Sequence, residues 1–113
     1  MFLIEAIIKP FKLDDVKDAL EELGVGGMTF TEILHAAPPK PKGRSFGETS
    51  KDVDLLPKIK VEVVVPAELA ERIIEALCVH GSAGRNEDGR IMVERVNGAV
   101  RIRTGEIDSD ALE

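Results

Sequence analysis

Lys58-Ile59-Lys60-Val61-Glu62-Val63-Val64-Val65-Pro66-Ala67-Glu68-Leu69-Ala70-Glu71-Arg72-Ile73-Ile74-Glu75-Ala76-Leu77-Cys78 changes its hydrophobic period at Pro66, and that change decides the fold. Before the proline, Ile59, Val61, Val63 and Val65 alternate with polar or smaller neighbours, the period-two signature of a strand with one buried face. After it, Leu69, Ala70, Ile73, Ile74, Leu77 and Cys78 recur at helical spacing. Pro66 suits the first turn of a helix, where a missing N–H costs nothing, and Gly81 closes it. On this spacing Cys78 reads as a small buried hydrophobe. Lys58 reads by itself as a surface lysine at the strand start.

Working outward, the N-terminal half repeats the same unit. Phe2 to Lys9 is β-rich and Pro10 ends it. Leu13, Val16, Leu20 and Leu23 then fall on one helical stripe, with Asp14 and Asp15 in the first turn, where the helix dipole favours acids. Gly24 stops that helix, and Met28 to Leu34 gives a second strand with Thr29, Thr31 and Ile33 facing one way. Beyond Gly81, Ile91 to Val96 and Val100 to Arg103 read as two short strands around an Asn97-Gly98 turn. The order β-α-β-β-α-β, with a short final strand, predicts one α+β domain over 1–113: a ferredoxin-like sandwich with both helices on one face. The other face would carry Leu3, Ile7, Thr29, Thr31, Lys60 and Glu62, too apolar a mixture to stay in water, so an oligomer is expected.

Composition narrows the function classes. Fifteen Lys and Arg against 21 Asp and Glu give a net charge of −6, which disfavours nonspecific nucleic-acid binding. Sheet-borne aromatics for stacking on bases are also missing from the middle strands. One cysteine permits no internal disulfide and fits a reducing cytoplasm. No apolar run approaches the ~18 residues of a membrane span, and no basic leader precedes Phe2-Leu3-Ile4, so neither a bilayer anchor nor an export segment is expected.

Two stretches stand apart from the sandwich. Residues 36–54 lack sustained periodicity and read as a long loop between strands two and three. Such a loop is either a tolerated insertion or a partner-binding segment; Arg44 and Phe46 near its tip, of types enriched in interface hot spots, favour the second. The other is Asp88-Gly89-Arg90 followed by Arg101-Ile102-Arg103-Thr104-Gly105-Glu106. Cations gathered beside a glycine turn in an acidic protein suit an anion or phosphate. Arg101 and Arg103, alternating on a strand, would project from one face. His35 and His80 are far apart with no third ligand at metal spacing, and no nucleophile–base constellation is present, so neither a metal site nor an enzyme is expected. The acidic tail from Glu106 reads as a solvated end.

The chain resembles the PII signal-transduction proteins. The resemblance rests on Ile4-Glu5-Ala6-Ile7-Ile8-Lys9-Pro10-Phe11-Lys12-Leu13-Asp14-Asp15-Val16-Lys17, Gly27-Met28-Thr29 and Leu56 to Val65, together with Asp88-Gly89-Arg90-Ile91 and Arg101 to Glu106. It implies a homotrimer with nucleotide clefts between subunits, in which ATP and ADP compete. By the same resemblance Ile7, Thr29, Glu62 and Val64 would surround the adenosine, while Glu87, Asp88, Gly89 and Arg90 would lie at the phosphates, with Arg101 and Arg103 reaching them. Lys58 would meet the carboxylate of an effector, 2-oxoglutarate, bound beside Mg-ATP. The long loop would dock on a membrane transporter or a metabolic enzyme in nitrogen regulation.

This chain departs from the family pattern where the effector and the modification act. Pro39 stands at the glutamine that completes the Mg–2-oxoglutarate shell and offers neither a side-chain ligand nor an N–H. Weak or absent 2-oxoglutarate binding is therefore expected, with bicarbonate as another small anion to consider. Lys51 stands at the modifiable tyrosine, and the chain has no Tyr, so uridylylation there is excluded. Glu87 replaces a glycine beside the phosphates, a repulsion of roughly 1–4 kcal/mol for a partly solvated pair, which would shift preference from ATP towards ADP or AMP. The alternatives are a paralogue serving inorganic-carbon uptake and carbon metabolism, and, from another class, a slow ATPase.

Overall fold

The computed structural model describes residues 1–36, 55–82 and 89–112. Its elements are β1 (Phe2–Ile8), α1 (Leu13–Glu22), β2 (Thr29–Ala36), β3 (Leu55–Val65), α2 (Ala67–Gly81) and β4 (Ile91–Arg95), with 3-10 helices at Pro10–Lys12 and Asp108–Leu112. The order is the expected β-α-β-β-α-β.

The sheet runs β2-β3-β1-β4, and each neighbouring pair is antiparallel. Alternation fixes which face is covered. Ile4, Ala6 and Ile8 of β1 and Ile59, Val61, Val63 and Val65 of β3 are buried beneath the helices. Val16 and Leu20 come down from α1, and Ala70, Ile73 and Leu77 from α2. Pro66 stands in the N-cap position of α2 with extended backbone, one residue before the first helical turn.

The end of α1 shows why the chain turns there. The Gly24 N–H donates to the Glu21 carbonyl and the Val25 N–H to the Leu20 carbonyl, the crossed pair of a Schellman cap. The cap needs a left-handed residue, and Gly24 supplies it at φ 89°. Val25 and Leu20, the two ends of the longer bond, are both buried, so the apolar contact that accompanies such caps is present.

Four readings are corrected. Val100–Arg103 is not a strand paired across Asn97-Gly98. Val100 instead bridges Ile107, the Arg101 N–H donates to the Glu106 carbonyl at 2.8 Å, and the Gly105 N–H returns to the Arg101 carbonyl. A local turn with Gly105 at φ 79° satisfies these groups, leaving none of this stretch to extend the sheet. Arg101 and Arg103 consequently do not share a strand face. Cys78 is exposed rather than buried, because the covered stripe of α2 passes through Ala70, Ile73, Leu77 and Gly81 and leaves residue 78 one step off it. Lys58 is buried, at 6% exposure, not a surface lysine. The tail is not wholly solvated: it folds back as the second 3-10 helix, with Ala111 and Leu112 half-buried.

Past the Ile8–Ile59 pair, β3 continues with β2 alone, from Lys58 opposite Ile33 to Leu55 opposite Ala36. Residues 37–54, and with them Arg44, Phe46, Pro39 and Lys51, lie outside the described residues. Among the described residues no helix is long and apolar enough to cross a membrane.

Candidate functional site

The face of the sheet away from the helices is built in rows. Thr29, Glu62, Glu5 and Met92 lie side by side across β2, β3, β1 and β4, and Thr31, Lys60 and Ile7 form the next row. Val64 and Leu3 pair on the other side of Glu62 and Glu5. This is the face predicted from the alternation, with the residues expected on it.

Glu5 and Glu62 face each other directly, a repulsive arrangement for cross-strand neighbours. Lys60 relieves it: its Nζ lies 3.2 Å from the Glu5 carboxylate on the diagonal. The hydrogen bond to Glu5, then the charges of Glu5 and Glu62, hold the Lys60 ammonium above the usual lysine range. The three residues form one charged cluster within the chain.

A cleft of about 650 Å³ opens at one end of this face. Thr29, Glu62 and Val64 line it, joined by Gly26 and Gly27 from the α1–β2 connection and by Leu69 at the start of α2. Three of the four residues assigned to adenosine by resemblance thus meet in one hollow. A hydroxyl, a carboxylate and apolar walls suit a ribosyl purine, whose ring needs an apolar slot and whose hydroxyls need acceptors.

The fourth, Ile7, lies outside that lining but lies against Gly89. A Cβ built on Gly89 would stand 2.8 Å from the Ile7 carbonyl oxygen and 3.5 Å from the Ile7 Cβ, so the backbone of residue 89 passes directly over Ile7. No Cβ fits there unless the backbone shifts. Arg90, next to it, is exposed, and so is Arg103. Glu87 and Asp88 lie outside the described residues.

Arg101 is engaged. One guanidinium nitrogen donates to the carbonyl oxygens of Asp110 and Ala111, at 3.5 and 3.3 Å, and Nε lies 3.4 Å from the Glu106 carboxylate. Lys58, assigned to the effector, shares the sheet face of Lys60 by its alternation and pairs with Ile33, beyond the cleft lining. Sequence reasoning missed that Ser109, Ala111 and Leu112 also border the cleft. The one signal was the apolar pair Ala111-Leu112 inside an otherwise acidic tail.

Residues 1–106 match the family model described as Nitrogen regulatory protein P-II. A nitrogen regulatory protein P-II of Haemophilus influenzae is 47% identical over 109 residues, covering 96% of this chain and 97% of its own length. One from Rhizobium etli is 44% identical over 112 residues, covering 99% and 100%. One from Azospirillum brasilense is 49% identical over 109 residues, covering 96% and 97%.

Proposed function

The chain belongs to the nitrogen regulatory protein P-II family, and on that premise we propose that it is a non-catalytic signalling protein. It binds adenine nucleotides at the Thr29–Glu62–Val64 cleft, assembles as a homotrimer, and acts on a transporter or metabolic enzyme through its long loop. Family membership supports the role in nitrogen-regulation signalling. The observation that carries the nucleotide is the cleft itself: it gathers Thr29, Glu62 and Val64 on a face whose next row holds Ile7, over which Gly89 passes. Arg90 and Arg103 supply exposed cations for the phosphates. The trimer is supported by the open sheet face, where Leu3 and Ile7 remain partly exposed and Met92 is exposed.

Calorimetry with ATP and ADP tests the reading, together with equilibrium sedimentation. Both nucleotides should bind, to a particle near three times 12.3 kDa. Arg103→Ala should lose about 1.5–3 kcal/mol of affinity, the range for a charge-assisted hydrogen bond. A folded protein that gives no heat with either nucleotide rejects the cleft assignment, and a stable monomer rejects the shared site. With Mg-ATP bound, 2-oxoglutarate should bind weakly or not at all, because Pro39 supplies no ligand. Bicarbonate titrated in parallel tests the inorganic-carbon alternative, which draws no support from the three relatives above.

A further inference from the structure

The cleft has an edge that the nucleotide assignment does not use. Ser109, Ala111 and Leu112 of the C-terminal 3-10 helix border it beside Thr29, Glu62 and Val64. Ala111 and Leu112 are half-buried, while residues 105–110 before them are exposed, so the tail is docked by its last apolar pair.

Arg101 ties that tail down. Its guanidinium reaches the carbonyl oxygens of Asp110 and Ala111 and the carboxylate of Glu106. A guanidinium fork prefers grouped oxygen acceptors, and those of a phosphate would compete for it. The approach to this position is set by backbone bonds, with the Asp108 N–H donating to the Ala99 carbonyl at 2.8 Å. Asp108 sits at φ 54°, a left-handed conformation that a non-glycine residue seldom adopts. Glu106, Asp108 and Asp110 add negative charge to the tail, and that charge opposes an incoming anion.

We infer that the C-terminal 3-10 helix is an intramolecular competitor for the nucleotide cleft, lying along its edge and holding Arg101 with oxygen acceptors that a phosphate must displace. The inference rests on the nucleotide reading above and adds regulation to it. The docked tail keeps Arg101 from the ligand, and apparent affinity falls by the fraction of molecules whose tail is undocked. Nucleotide binding and tail docking then oppose each other, so a partner that captures the free tail would raise nucleotide affinity by the same factor.

The test compares ADP binding by the full chain, a chain ending at Ile107, and the full-length variant Leu112→Ala, which loosens the apolar anchor without shortening the chain. The shortened chain should bind ADP at least about 5-fold more tightly, with Leu112→Ala shifted the same way by less. Amide exchange at 108–112 in the full chain should quicken on saturation with ADP. Equal or weaker ADP binding by both variants overturns the competitor while leaving the nucleotide reading intact. Failure of all three folded forms to bind ADP overturns the nucleotide reading, and the competitor falls with it. Should the shortened chain fail to fold, Leu112→Ala and the exchange measurement decide.

Discussion

Replacing Gly89 by alanine tests how the proposed phosphate turn is positioned. The new Cβ would meet the Ile7 carbonyl oxygen at 2.8 Å, and ordinary contact begins near 3.4 Å, so about 0.6 Å must be recovered. Ile7 cannot give way easily, because β1 is flanked by β3 and β4, with Ile7 paired to Lys60 and Ala6 to both Val61 and Ile91. Gly89 therefore moves, and on the proposed nucleotide reading the phosphate contacts move with it. Overpacking of this kind costs about 1–3 kcal/mol. If the cost falls on the bound arrangement, ADP affinity drops roughly 5- to 150-fold, at about 1.4 kcal/mol per tenfold. Calorimetry measures the affinity, and a urea midpoint measures how much of the cost is general. Gly26→Ala is the control for inserting a methyl group, since nothing lies within 4 Å of its Cβ position. Unchanged ADP affinity and an unchanged midpoint in Gly89→Ala would refute the close approach to Ile7 as the reason for glycine.

Three further outcomes follow from the geometry. Ile73 is 0% exposed at the centre of the α2 stripe, so Ile73→Ala should lower unfolding free energy by about 2–5 kcal/mol; a loss below about 1 kcal/mol in chemical denaturation would contradict that packing. Cys78 should react stoichiometrically with a thiol reagent in the native protein, whereas protection until unfolding would show the residue to be covered. The Lys60 ammonium is held above its ordinary range, chiefly by Glu5, so the folded state binds this proton more tightly than the unfolded chain. Its stabilising effect is complete below about pH 10.4 and fades as pH rises through the higher folded value. Glu5→Gln should lessen that alkaline loss, and denaturation profiles that superimpose on the parent's would disprove the coupling.

The central sandwich was legible because its signals are local and repeated. Ile59, Val61, Val63 and Val65 declare a face by alternation, and Leu13, Val16 and Leu20 declare a stripe by helical spacing. Cys78 was misread because sequence spacing admits a broad apolar arc, while packing selects a narrower one through Ala70, Ile73, Leu77 and Gly81. Gly81 was taken only as a stop, yet a Cβ there would come within 3.1 Å of the Ile8 side chain, so its smallness serves helix-to-sheet packing. Lys58 was misread because alternation reports which face a side chain belongs to and not how deeply it is covered. The turn after Val100 depends on bonds between Ala99–Arg101 and Glu106–Asp108, which no hydrophobic period encodes. Thr29, Glu62 and Val64 became candidate adenosine residues through family resemblance; the sheet register then brought them together.

The β2–β3 ribbon joins the cleft to the root of residues 37–54. Its first rung is Thr29 with Glu62 at the cleft, and its last is Ala36 with Leu55 at the root of the long loop. Beyond Ile59 the pair runs on without β1 beside it, and four more residues at about 3.3 Å each give an overhang of roughly 13 Å. Mechanically this is a cantilever with its fulcrum at Ile59. A tilt of about 10° there would carry the loop root through roughly 2 Å at that overhang. A displacement at the Ile59 end of the overhang is thus larger at Ala36 and Leu55 than at its base.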